Sequence, residues 1–327
     1  AEIFYQGHDF RLCKGMIKNM KRQKILIDTD IGDDIDDAVA IALGLKSENI
    51  EIIGITTVFR DTFSRARIAG RLLALAGKKE IPVYAGSRNG ISEKYSPKPL
   101  CQMTASANVS EYDPVNADDE SGEKAVDFIL SAAKKYKKEL IILGIGPYTN
   151  LAKAFLKDSE AMNGVEKIVV MGGTYGEHHL EWNVLCDVEA AEILFDSCRN
   201  LYCVGYDVTK QALVSWQEHQ EMMKPAEGVR GYLAELVKKW SEHCWHAPVF
   251  HDPLALYYIS DPSVLMMKRA EIKVETKGEY TRGMTVNIDN YSEGRCGYRS
   301  VGKTHIAVAV DAAKLKEIVM EKLFSEK

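Results

Sequence analysis

From Lys24 onward, short apolar runs alternate with stretches of helical spacing, and that regularity leaves few folds open. Apolar, often β-branched runs stand at 25–27, 51–58, 81–84, 140–145, 167–171 and 201–205, each bounded by polar residues or glycine. Between them, 38–45, 64–76, 123–136, 149–155 and 187–195 carry helical spacing, with Asp187 placed as an N-cap. Strands apolar on both faces belong to parallel sheets, and parallel neighbours need crossovers long enough for a helix. The pattern therefore predicts an α/β fold, an open, mostly parallel sheet with helices on both faces. Residues 271–286 and 304–310 read as further strands, the first as an antiparallel appendage. The irregular stretch 87–121 reads as a loop over the site. No Pro/Ser-rich linker or internal repeat divides the chain, so 24–327 reads as one domain. Residues 1–23 lack clear periodicity and a signal-peptide apolar core. Residues 2–7 resemble the remnant of a protease-cleavable tag, and this leader is set outside the fold.

Directly after the first apolar run come six aspartates in ten positions: Asp28, Asp30, Asp33, Asp34, Asp36 and Asp37. Carboxylates crowded together repel one another. A hard divalent cation relieves that repulsion because it takes several carboxylate oxygens at once. N-capping and the helix macrodipole account for one or two acids at a helix start, not for six. The cluster also stands at the carboxyl end of a strand, where open α/β sheets bind ligands.

Composition narrows the partners. The chain has 327 residues, a formal net charge of −5 and 46% hydrophobic residues, and it has no basic stripe. This argues against nucleic acid, and no apolar stretch approaches a membrane span. Seven scattered cysteines without CxxC pairing suggest reduced thiols in a cytoplasmic protein.

Other polar residues leave the same ends of the predicted strands. They are Thr56, Thr57, Arg60 and Asp61 after the second; Thr149 and Asn150 after residues 140–145; Glu181, Trp182 and Asn183 after 167–171; and Asp207 and Thr209 after 201–205. His251-Asp252-Pro253 opens a later helical run. Each alone is an ordinary turn, cap or loop residue. Their convergence on one end of one sheet marks a site.

The run Asp28-Thr-Asp30-Ile-Gly…Asp36-Asp37-Ala38 resembles the signature of the inosine–uridine nucleoside hydrolase family. The likeness continues in family order through Thr56-Thr57-Val58, Gly146-Pro-Tyr-Thr-Asn150, Glu181-Trp-Asn183, Gly205-Tyr-Asp-Val-Thr209 and His251-Asp-Pro253. The resemblance implies an eight-stranded, mostly parallel sheet, a bound Ca²⁺, a homodimer or homotetramer, and hydrolysis of the N-glycosidic bond of ribonucleosides. It implies Asp30 as both metal ligand and general base, with Asp37, Asp252 and the carbonyl of Thr149 completing the metal ligands and Asp34 an alternative ligand. Asp36, Asp61, Glu181, Asn183 and Trp182 would meet the substrate, and His251 would serve the leaving base, ahead of His246, His178, His179 and Tyr175. Trp240 and Trp245 are further aromatic candidates.

This chain departs from the usual family pattern. Asp33 and Asp34 lengthen the acidic segment by two residues, and Arg60-Asp61 stands where Gly-Asn is usual. The glycine-rich lid segment and an asparagine before Glu181 are missing. Two alternatives follow. One is a haloacid-dehalogenase-like phosphohydrolase, which also opens on a strand and Asp-Thr-Asp but leaves the Gly-Pro-Tyr-Thr-Asn and His-Asp-Pro segments without purpose. The other is a non-catalytic, metal-dependent ribose- or nucleoside-binding relative.

Overall fold

Strand β1 (Gln23–Thr29) is buried between two cores because its side chains alternate between them. Ile25 and Ile27 enter one core and Leu26 the other. The computed structural model describes residues 22–93, 110–289 and 302–325. The proposed tag remnant, Cys13, Cys101, Cys296 and part of the expected loop over the site lie outside the described residues.

The strands that follow are β2 (Ile50–Thr57), β3 (Val83–Ala85), β4 (Leu140–Gly144), β5 (Lys167–Met171), β6 (Leu201–Val204), β7 (Leu265–Ala270), β8 (Ile272–Val274), β9 (Thr285–Asn287) and β10 (Thr304–Val310). Eight of them form one sheet in the order β3-β2-β1-β4-β5-β6-β10-β7. All neighbours run parallel except β10 and β7. β8 and β9 pair antiparallel as a separate appendage, as residues 271–286 suggested.

The helices are α1 (Asp36–Lys46), α2 (Thr62–Leu75), α3 (Glu123–Tyr136), α4 (Thr149–Lys157), α5 (Ser159–Asn163), α6 (Trp182–Cys186), α7 (Val188–Ser197), α8 (Tyr206–Thr209), α9 (Trp216–Met222), α10 (Gly228–Ser241), α11 (His251–Ser260) and α12 (Ala312–Val319). Apolar residues of α1, α2, α10 and α11 share a core with Ile25 and Ile27. Those of α3, α4 and α7 share the opposite core with Leu26. Helices therefore cover both faces, as the apolar strands require.

Several elements escape the sequence pattern, β7, α9 and α10 among them. β7 reads Leu-Met-Met-Lys-Arg-Ala, without a β-branched residue. α9 and α10 fall in a stretch with no strand between them. One signal was present: Ser215 and Glu218 form a reciprocal capping box at the start of α9.

The chain leaves β1 outward through β2 and β3, then returns to place β4 on the other side of β1. The order reverses between β1 and β4, and ligands of such sheets bind outside the strand ends at that reversal. The amide of Ile145, just past β4, donates to the carbonyl of Asp28 at 2.8 Å and ties the two diverging ends together.

Candidate active site

A cleft of about 520 Å³ opens at this reversal. Asp30, Asp34, Asp36 and Asp37 from the β1–α1 segment, Ile145 after β4, Glu181 to Asn183 at α6, Tyr206 of α8, and His251 and Asp252 of α11 all line it. Its size suits a small molecule.

The carboxylates at its floor are buried. One oxygen each from Asp36, Asp37 and Asp252 lie within 4.8 Å of one another. Thr29 Oγ1 donates to Asp37, and the amide of Asp252 donates to Asp36 Oδ2 at 3.1 Å. Among the described residues no lysine or arginine makes an ion pair with any of the three. Burial, and then the neighbouring carboxylates, push all three well above the usual carboxylate range. Burial pushes Asp30 up to about 7, against the opposing pull of the Arg65 guanidinium. Asp34 stands at the exposed edge of this set, and its Oδ1 accepts from the amide of Ile35 at 2.6 Å. Such a set is stable with protons or with a cation, and its donors are all oxygens. That chemistry fits a hard divalent ion.

Gly146 presses on Asp30 from β4's side. A Cβ there would stand 2.8 Å from the Asp30 amide and 2.9 Å from its Oδ1. Only glycine permits that approach.

The opposite wall is built on α6. Glu181 is its N-cap: Oε1 accepts from the Asn183 amide at 2.9 Å, and Oε2 accepts from the Gly173 and Val184 amides at 2.9 and 3.1 Å. Gly173, at φ +72, supplies the left-handed turn that aims its amide there. Asn183 Nδ2 donates to the carbonyls of Met171 and Ile145 at 3.3 and 3.4 Å. Trp182 is 53% exposed at the mouth and stands edge-on to Phe59, with ring centroids 6.3 Å apart.

Three rings form a stack on the remaining side. Tyr206 lies between His179 at 4.3 Å and His251 at 5.8 Å. His251 Nδ1 is 2.6 Å from Thr209 Oγ1. Burial pushes this imidazole down to about 4, so it is neutral at pH 7.

Residues 25–317 match the family model described as inosine-uridine preferring nucleoside hydrolase. The chain belongs to that family. It is similar to the inosine-uridine preferring nucleoside hydrolase of Leishmania major, 32% identical over 92% of this chain and 97% of the relative. Among solved structures, a purine-preferring ribonucleoside hydrolase from Gardnerella vaginalis is 29% identical, with a TM-score of 0.75 over 92% of this chain and 98% of that one. A plant nucleoside hydrolase shares the fold, with a TM-score of 0.79 over 93% of this chain and 99% of that one, at 24% identity. The protein is therefore an N-glycosyl hydrolase that splits ribonucleosides into ribose and free base. The family match displaces the phosphohydrolase alternative.

The cleft of this nucleoside hydrolase gathers most residues expected from the sequence, but not all. Asp61 does not line it. Its carboxylate caps α2, accepting from the Ser64 amide at 3.1 Å and Ser64 Oγ at 2.7 Å. Thr149 does not line it either, since it begins α4 and its Oγ1 donates to Asp187 at 2.5 Å. Ile145, four residues earlier, is the β4-end residue that borders the cleft. Asp36 sits with Asp37 and Asp252, nearer a metal position than a substrate contact alone requires. Asp28 is buried below the cleft, with Oδ1 accepting from Thr56 Oγ1 at 2.6 Å and Asn150 Nδ2 at 2.8 Å. Of the alternative leaving-base residues, His179 lines the cleft, whereas His178, His246 and Tyr175 do not. Trp240 borders it while fully packed, and Trp245 is 88% exposed away from it. Sequence reasoning missed Ile145, Tyr206, Cys244 and the buried Arg65. Tyr206 was detectable as part of the Gly205–Thr209 segment.

Among the described residues no helix is long and apolar enough to cross a membrane.

Proposed function

We propose that this chain cleaves the N-glycosidic bond with Asp30 as general base and a calcium ion held by Asp30, Asp37 and Asp252, with a main-chain carbonyl from Ile145 in the role first given to Thr149. The observation that carries the reading is the convergence of Asp36, Asp37 and Asp252 beside Asp30, buried and all-oxygen, with no lysine or arginine in a direct ion pair with the three among the described residues. Oxygen donors suit calcium and disfavour zinc or copper. When bound, the ion would lower the pKa of a water molecule and anchor ribose hydroxyls.

The protein's own groups do the rest. Asp30 takes the proton of the attacking water. Asp36 has one oxygen engaged by the Asp252 amide, which leaves the other for a ribose hydroxyl. Glu181, held by three amides, and Asn183 bind further hydroxyls and fix the sugar. As positive charge grows at the anomeric carbon, the surrounding carboxylates stabilise it. His251 has Nδ1 turned to Thr209, and with the Thr209 hydroxyl as donor to Nδ1 it would offer Nε2–H to the departing base. Trp182 covers the mouth beside the base.

Ribose release from uridine and inosine, measured after exhaustive chelation and again after adding calcium, tests this. Activity that survives chelation rejects the ion. The same reading takes residues 24–327 as one domain and the protein as a cytoplasmic homodimer or homotetramer. Free thiols at Cys186, Cys198, Cys203 and Cys244 agree with the compartment, and light scattering would measure the assembly.

A further inference from the structure

We propose that Arg65 is a positioning residue for this reaction: it fastens the lengthened acidic loop to the end of β2 and so fixes where Asp30 stands. The proposal rests on the role given above to Asp30.

Arg65 lies in α2 with 0% exposure, an unusual place for a guanidinium. Three of its nitrogens are used. Nε donates to the carbonyl of Phe59 at 2.8 Å. Nη1 donates to the carbonyl of Ile31 at 3.0 Å and to that of Asp30. Nη2 donates to the Asp33 carboxylate at 2.7 Å. The acceptors come from two separate loops, one after β1 and one after β2. A planar fork can meet acceptors in several directions at once, whereas an ammonium is a compact point charge.

Both loops need holding. Phe59 and Arg60 adopt φ of 73° and 60°, a left-handed pair without glycine. Such a turn persists only where its surroundings over-determine it. The amides of Phe59 and Arg60 bond to the carbonyls of Ser87 and Arg88, and Arg65 takes the Phe59 carbonyl. In the other loop, Asp33 is one of the two residues that lengthen the acidic segment, and its carboxylate supplies the counter-charge that a buried guanidinium requires. Asp33 is thus spent on α2 rather than on the trio at the floor of the cleft.

Asp30 is held from both sides. Gly146 abuts its amide and Oδ1, and Arg65 holds its carbonyl. Small displacements of a reacting group are enough to slow a reaction by about a hundredfold.

The test compares wild type, Arg65→Lys, Asp33→Asn, the double variant and Asp30→Asn, with kcat per folded protein on uridine and inosine and calcium binding by titration calorimetry with calcium chloride alone. Expected are a fall in kcat of about ten- to a hundredfold for Arg65→Lys, a smaller fall for Asp33→Asn, weakened calcium binding in both, and a double variant no worse than Arg65→Lys, because both changes break one contact. Wild-type kcat and calcium affinity in the single variants, or additive losses in the double, overturn the proposal. If Arg65→Lys does not fold, the part-exposed Asp33→Asn decides alone, and wild-type behaviour there overturns it. Asp30→Asn separates the two readings. If it keeps full turnover, the general base falls and Arg65 has nothing to position. If it is inactive while the Arg65 and Asp33 variants match wild type, only the positioning role falls.

Discussion

Thr209 Oγ1 and His251 Nδ1 stand 2.6 Å apart at the edge of the cleft. The tautomer follows from this contact: a hydroxyl that donates to Nδ1 leaves the proton on Nε2, where a departing base could accept it, whereas a hydroxyl that donates to the Tyr206 carbonyl at 3.4 Å takes the proton of Nδ1 and leaves Nε2 bare. Burial keeps the ring neutral at pH 7, so the role proposed for it is a directed hydrogen bond and not a stored proton.

Thr209→Val removes that orientation while keeping the shape. We expect kcat to fall about tenfold, equivalent to about 1.4 kcal/mol of barrier, with KM little changed. His251→Ala should cost more, about 10²–10⁴ in kcat, the range typical of proton-handling groups. Steady-state kinetics with uridine and inosine provide the check, and an unaffected kcat in both variants rejects a role for this pair.

Asp30→Asn should abolish turnover, lowering ribose release by at least about 10³, because the amide accepts no proton. The protein should remain folded, since the substitution also removes a buried like charge. A reducing-sugar assay alongside a thermal melt separates the two effects.

Asp61→Ala distinguishes a helix cap from a substrate contact. The carboxylate accepts two bonds from Ser64 at the start of α2. Its loss should cost about 1 kcal/mol of stability and leave KM close to wild type. A large rise in KM at unchanged stability would instead restore Asp61 to the ribose pocket.

Stability should depend on pH in a direction set by the floor of the cleft. Asp36, Asp37 and Asp252 have folded pKa values raised above their unfolded ones. Between about pH 4 and those raised values the native state binds more protons than the unfolded chain. Stability of the chelated protein should therefore fall as pH rises through that window. Calcium bound there, as proposed, would replace those protons, so its stabilising effect should grow with pH. Melting curves at pH 5 and pH 8, with and without calcium, measure this; an equal shift at both rejects the linkage.

Much of this was legible in the residues. The apolar alternation located the central strands, and 123–136 and 167–171 coincide with α3 and β5. Asp187 caps α7 as expected, accepting from the Ala190 amide at 3.1 Å. The acidic run was informative because capping could not absorb six carboxylates. What failed had a common cause: a polar residue at a strand–helix junction looks the same whether it binds a ligand or the backbone. Asp61 caps its own helix, and Thr149 binds Asp187, the cap of α7. Ile145 was missed because an apolar residue at the end of a strand reads as core. Arg65 was missed because an arginine within a helix normally reads as solvent-facing, and only the three-dimensional path of two loops reveals its acceptors.

The reversal of strand order between β1 and β4 has a consequence for how the enzyme comes into being. The acidic floor needs the β1–α1 segment and α11, whose Asp36 and Asp252 are 216 residues apart in sequence. During synthesis the early aspartates emerge long before their partner Asp252, and contacts of such separation close late. Metal capture would therefore follow the arrival of α11 instead of seeding the sheet, and a chain halted before α11 would carry Asp36 and Asp37 with no Asp252 to close the trio.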